Sequence, residues 1–214
     1  MHSPTEMISE DKALKGRFNP IEVSMPHLVF NVSLLDEIPG TEVAYVAMGC
    51  FWGAERKFWE LPGVVNTVVG YQGGFTPNAT YEEVCTGKTG HAEVVKVVFD
   101  PSKVSYAQIL KCFYENHNPT QGFRQGGDIG TQYRSAIYFV NEQQEEIARD
   151  ITSAFQVTLN ENHYGSITTE IAPAKEFFIA EQYHQQYLIA NPNGYCGLGA
   201  VSYTHLTLPT IYSV

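Results

Sequence analysis

No stretch of this 214-residue chain approaches the roughly 18 consecutive apolar residues that suggest a membrane-spanning helix. Basic residues are scarce: 13 Lys and Arg stand against 23 Asp and Glu, a formal net charge of −10. Such a balance argues against a general affinity for nucleic acid or an anionic membrane surface. The four cysteines, Cys50, Cys85, Cys112 and Cys196, are too few and too widely spaced for a disulfide scaffold. None forms a CxxC pair, and no His/Cys cluster has zinc-ligand spacing, so redox or nucleophilic use of one or two thiols outranks metal binding. Residues 1–20 are polar and lack the apolar segment of a secretory leader, so a cytoplasmic protein is expected. Internal repeats and low-complexity linkers are also missing.

What remains is an ordinary globular composition, 43% hydrophobic and 17% charged, long enough for one well-filled core. Residues 1–40 show no strong periodicity and read as a wrapping arm or a partly disordered lead. From Val43 to Met48 the chain is nearly all apolar, as in a strand buried on both faces. Beyond Gly49, Phe51, Ala54, Phe58 and Leu61 recur at helical spacing, until Pro62-Gly63 ends the helix. Strands are predicted over 64–71 and 92–99. Ser105 is placed as the N-cap of a helix burying Tyr106, Ile109, Leu110 and Phe113. A Gly-rich loop, 121–130, leads to a strand over about 133–140. Asn141 with Gln144 resembles a capping box opening a helix that buries Ile147, Ile151, Ala154 and Phe155. A strand over 167–171 and a helical turn or two within 179–188 complete the prediction. Between residues 43 and 140 the order is β-α-β-β-α-β. The expected fold class is α/β (α+β): a ferredoxin-like split β-α-β two-layer sandwich with extra helices and a long C-terminal coil.

Three residues invite chemistry on local grounds. Cys50 lies where a buried strand turns through Gly49 into a helix, and the unpaired N–H groups there favour thiolate over thiol. Such positions lower a cysteine pKa from about 8.5 into a range of about 3.5–7.5; a buried core cysteine is the equally available alternative. Glu93 alternates with Val95, Val97 and Phe99 on one strand face. A carboxyl on an apolar face either has a partner or stays protonated, the property of a general acid, unless it simply reaches solvent at the strand end. Cys196 lies in the glycine-flanked run Asn193-Gly194-Tyr195-Cys196-Gly197 and reads either as a thiol able to swing toward another or as a plain loop cysteine.

Seven segments in order resemble the methionine sulfoxide reductase A family of peptide-methionine (S)-S-oxide reductases. They are Met48-Gly49-Cys50-Phe51-Trp52-Gly53, Gly70-Tyr71 with Gly73-Gly74, Pro77-Asn78-Ala79-Thr80-Tyr81, Thr89-Gly90-His91-Ala92-Glu93, Asn116-His117-Asn118-Pro119, Gly130-Thr131-Gln132-Tyr133-Arg134-Ser135, and Tyr183-His184-Gln185-Gln186-Tyr187-Leu188. The resemblance implies that the Cys50 thiolate attacks the sulfoxide sulfur while Glu93 protonates its oxygen, helped by the phenols of Tyr81 and Tyr133. Phe51 and Trp52 would wall an apolar pocket for the S-methyl group, and Asp128 would orient the substrate backbone. Cys50 would become a sulfenic acid, and Cys196 would resolve it to a disulfide reduced by thioredoxin, or by dithiothreitol in the test tube. The same resemblance implies protein-bound and free methionine sulfoxide as substrates, repair of oxidised proteins, no cofactor or metal, and a monomer. On local grounds alone the five pocket residues would read as core aromatics, interface tyrosines and a turn aspartate.

The resemblance runs from about residue 43 to 199, setting an N-terminal extension (1–40) beside a catalytic domain (41–199). Residues 200–214 depart from the pattern: no cysteine follows Cys196, and from Asn191 onward there is no charged residue. This atypical tail reads as foreign sequence, the alternative being a divergent extended segment. Two other functions compete with the reductase. A thiol hydrolase would need His91 or His184 as the base for Cys50, and a redox sensor would need only the Cys50 and Cys196 pair.

Overall fold

The computed structural model describes residues 5–200. Its elements in chain order are β1 (Glu42–Met48), α1 (Phe51–Trp59), β2 (Val64–Gln72), α2 (Tyr81–Cys85), β3 (Ala92–Phe99), α3 (Tyr106–Glu115), β4 (Arg124–Gln125), β5 (Asp128–Ile129), β6 (Ser135–Phe139), α4 (Glu142–Glu161), β7 (Glu170–Pro173), β8 (Phe178–Ile179) and α5 (Tyr187–Ala190). The main sheet has the order β7-β6-β1-β3-β2-β8. Its inner four strands, β6-β1-β3-β2, are antiparallel throughout, whereas β7 joins β6 in parallel. This is the split β-α-β arrangement that the order of elements implies, widened by one short strand at each edge.

Alternation along the strands sorts the core into two layers. Val46 and Met48 of β1, Val95 and Val97 of β3 and Ile137 of β6 join Phe58, Ile109, Leu110, Phe113 and Phe155 of the helices in one large cluster. On the opposite face Ala47, Val94 and Tyr138 form a smaller cluster under Ala172, Ala174 and Phe177. Glu93 shares the helix-covered face with Val95 and Val97, as its period predicts, and pairs across the sheet with Tyr71.

Local signals hold well where they are complete. Ser105 caps α3 in a full capping box with Gln108. Asn141 forms half of one: its side chain accepts the N–H of Gln144, but the Gln144 side chain accepts from Val140 and donates to the carbonyl of Val43. Gln144 thereby ties α4 to β1 instead of closing its own helix end. The strand expected from Tyr133 begins at Ser135, since Tyr133 lies in the short 3-10 turn Thr131–Tyr133.

Much of the N-terminal stretch is held by hydrogen bonds to the body. Leu14 donates to the carbonyl of Lys88 at 2.9 Å and Arg17 to that of Pro77 at 3.0 Å. His27 and Leu34 are buried. The tail from residue 201 onward, which the sequence marks as atypical, lies outside the described residues.

Candidate functional site

Cys50 is the N-cap of α1, entered through Gly49 at φ +92°. Only glycine suits that turn twice over: the φ is left-handed, and a Cβ there would lie 2.6 Å from Cγ of the buried Gln125. The Gly-rich loop and the β1-to-α1 turn are thus in direct contact. Burial of Cys50 pushes its thiol well up, reinforced by the charges of Glu93 and Asp128, while the backbone N–H groups of Trp52 and Gly53 pull the other way. The lowered pKa expected from the helix N-terminus is therefore corrected. The N–H groups act as anticipated, but desolvation of a residue that is only 8% exposed outweighs them.

Glu93 supplies the counterpart. Its Oε2 accepts the N–H of Phe51, the first residue of α1, at 2.9 Å. Burial raises the carboxyl to about 8, the Phe51 N–H lowering it and Asp128 adding to the rise. At neutral pH the group is mainly a neutral acid, and its acceptor role at Oε2 leaves the proton on Oε1. A thiol and a carboxylic acid, both uncharged, thus meet at one helix end.

Both phenols lie near enough to Glu93 to feel its charge. Tyr81 opens α2 behind the Thr80–Glu83 capping box, and its hydroxyl is held protonated by burial, with the charges of Cys85, Glu93 and Cys50 adding to that effect. Tyr133 is raised by burial and then by Glu93, Tyr81, Cys85 and Asp128. Asp128, in β5, is raised by burial and receives the hydroxyl of Tyr195 at 3.2 Å on both oxygens.

The aromatic residues divide. Phe51 is fully buried, its ring beside Tyr71 and His184 at centroid distances of 5.9 and 5.1 Å. It backs the site from within the core. Trp52 is only partly buried and lies flat on Tyr187, with centroids 3.8 Å apart and planes at 15°. Its indole N–H donates to Nδ1 of His184 at 3.0 Å. Cys196 packs against the first turn of α1: a Cβ on Gly53 would lie 2.9 Å from its Sγ.

Several contributors escaped the local reading of the sequence. Glu181 accepts the N–H of Tyr81 at 2.8 Å and the hydroxyl of Tyr71 at 3.0 Å, fixing the start of α2 to the sheet. Within α1, buried Glu55 accepts the Thr67 hydroxyl and both the backbone and side-chain N–H of Gln186. Burial raises Glu55 to about 7 despite these donors. His27 completes the chain: its Nδ1 accepts from Val29 and Phe30, so Nε2 donates to Thr67 at 2.8 Å. Segment 183–188 carried a signal, its match to the family, but no local chemistry that would assign these roles.

The hydrolase alternative loses both its bases. His91 accepts the N–H of Gly74 at Nδ1 and donates to the carbonyl of Thr76 at 2.7 Å. His184 spends Nδ1 on Trp52, so neither imidazole offers a lone pair to Cys50. Among the described residues no group of three or more His, Cys, Asp or Glu could hold a metal ion. No described helix is long and apolar enough to cross a membrane.

Comparison with known proteins agrees with this geometry. Residues 42–208 match the family model described as peptide methionine sulfoxide reductase. A relative from Caulobacter vibrioides, peptide methionine sulfoxide reductase MsrA 1, is 57% identical over 200 residues, covering 93% of this chain and 92% of its own. Methionine sulfoxide reductase A of Corynebacterium diphtheriae superposes with a TM-score of 0.85 at 45% identity, covering 95% of this chain and 99% of that one. Reduced Mxr1 from Saccharomyces cerevisiae aligns with a TM-score of 0.70 at 32% identity, over 81% of this chain and 96% of that one. Mxr1 has also been solved in complex with Trx2. The chain belongs to the peptide methionine sulfoxide reductase family and is an oxidoreductase of the MsrA kind.

Proposed function

We propose that the chain reduces methionine-S-sulfoxide, protein-bound and free, by moving the sulfoxide oxygen onto Cys50. The observation that carries this reading is the neutral Glu93 carboxyl, bonded to the N–H of the residue that follows Cys50. A sulfoxide oxygen gains negative charge as its sulfur is attacked, so a neutral acid and two phenol donors lower the barrier where that charge develops. Glu93 gives its proton to the oxygen and, as a carboxylate, takes the proton of the Cys50 thiol. Oxygen passes from the substrate sulfur to Cys50, leaving methionine and a sulfenic acid, with no net charge created in the buried site. Trp52 on Tyr187 presents an apolar wall to the S-methyl group, and Asp128 with Tyr195 offers polar atoms to the substrate backbone.

Cys196 then attacks the sulfenic sulfur. The S–S bond forms, the S–O bond breaks, and the oxygen leaves as water with the thiol proton. A thioredoxin dithiol reduces the disulfide by exchange, in line with the capture of the yeast relative with Trx2. No cofactor is invoked. The expected setting is repair of oxidised proteins by a cytoplasmic monomer.

One experiment tests the scheme. Methionine formed from methionine-S-sulfoxide is followed with thioredoxin present, for the parent protein, Cys50→Ser and Cys196→Ser. Activity disappears in Cys50→Ser, whereas Cys196→Ser yields one equivalent of methionine and then stalls. Sustained activity in Cys50→Ser overturns the reading.

A further inference from the structure

The segment from Tyr195 to Leu198 is fastened to the body by three contacts. Tyr195 donates to Asp128, the Cys196 sulfur rests against the α carbon of Gly53, and Leu198 joins the main core. At Gly53 an ideal Cβ would lie 2.9 Å from Cys196 Sγ and 3.3 Å from Leu198 Cγ. The first distance is below any ordinary carbon–sulfur contact, so the missing side chain is what lets the sulfur sit there. Gly53 falls three residues after Cys50, and residues three apart on a helix are neighbours on one face. The seat thus holds Cys196 within about one helical turn, roughly 5 Å along the axis, of the position of Cys50.

We infer that Gly53 is a positioning residue for the recycling step: its bare α carbon is the seat from which Cys196 closes onto the oxidised Cys50. This rests on the reading of Cys196 as the resolving thiol. A glycine inside a helix costs about 1 kcal/mol relative to alanine, a cost set here against the close approach of Cys196 and Leu198 to the bare α carbon. The seat matters because closure between two sulfurs depends steeply on their starting geometry. Gly53 shapes the lifetime of the sulfenic acid without touching substrate.

The test is a single turnover without reductant, comparing the parent protein with Gly53→Ala, Gly53→Ser and Cys196→Ser. Methionine is measured alongside sulfenic acid trapped by dimedone and disulfide mapped by mass spectrometry. The readout is the rate of disulfide closure divided by the rate of methionine formation. This ratio falls about tenfold or more in Gly53→Ala and further in Gly53→Ser, as a displaced reacting group should show. Alkylation of Cys196 by iodoacetamide speeds up in the same order, and circular dichroism checks that the fold is kept. Adding Gly53→Ala to Cys196→Ser leaves the sulfenic lifetime where Cys196→Ser alone sets it. An unchanged ratio, with closure still dependent on Cys196, overturns the role of Gly53 and leaves the recycling scheme standing. Closure at the parent rate in Cys196→Ser overturns the recycling scheme itself.

Discussion

Trp52 gives its indole N–H to Nδ1 of His184 at 3.0 Å, so the half-buried indole and the buried ring beneath it depend on one protonation state. Only a neutral imidazole can accept that bond, and burial holds His184 neutral by lowering it to about 4, against a weaker upward pull from Glu181. His184→Ala strands the indole donor in a partly closed site. The expected cost is about 1–3 kcal/mol of stability and about tenfold in kcat/KM, carried mainly by KM. His184→Gln, which keeps an acceptor, recovers part of both. Steady-state kinetics and thermal melts on the two variants check this.

Glu93→Gln should separate activity from stability. Removing the acid slows methionine formation by about a hundredfold or more, the usual scale for a lost general acid. Stability moves the other way as pH rises above 4.5. The Glu93 carboxyl rises from an ordinary 4.5 to about 8 on folding, so its contribution is fully present below pH 4.5 and is lost as pH climbs through 8. Between those values the loss accrues at up to about 1.4 kcal/mol per pH unit. Glutamine has no charge to bury, so Glu93→Gln gains on the parent protein from pH 5 to pH 9 in urea unfolding measured at each pH.

The same ionisation should govern the pH profile of the chemical step. Above about pH 8 Glu93 loses the proton it donates, and its new charge raises the Cys50 thiol further. Single-turnover methionine formation therefore declines through that pH. The residual rate of Glu93→Gln lacks this alkaline fall. A stopped-flow series in buffers of constant ionic strength compares them.

His27 fastens residues near the N-terminus to the back of the active-site helix through Thr67 and Glu55. His27→Ala leaves a buried hydroxyl short of a donor and two backbone N–H groups short of an acceptor. The expected loss is about 1–3 kcal/mol of stability, with a smaller effect on the rate per folded molecule. Differential scanning calorimetry together with active-site titration distinguishes the two effects.

How much of this could be read from the chain depends on how far each cause acts. The period-two pattern around Glu93 put the carboxyl on the helix-covered face correctly, because strand alternation is a local property. The strand, glycine and helix around Cys50 were equally local. Its acid–base state was not, since burial of the sulfur depends on the whole packed site rather than on the helix end alone. The helix α2 is only five residues long and shows no hydrophobic period, although the Thr80 and Glu83 spacing is a capping signature. The role of His184 had no local trace, because its partner Trp52 is 132 residues away.

β3 lies inside the sheet, between β1 and β2, and Glu93 is carried on it. Backbone amides of such a strand are freed only by near-global opening, whereas short surface turns open at lower cost. Cys196 sits beside one of these turns, Gly197–Ala200. In hydrogen–deuterium exchange the acid should therefore ride on the slowest amides of the molecule and the second sulfur on faster-exchanging ones. On the proposed scheme, the two half-reactions are thus divided by lifetime. The oxygen-accepting pair of that scheme would keep its geometry over many turnovers, while the segment bearing Cys196 would unfasten and redock within each one.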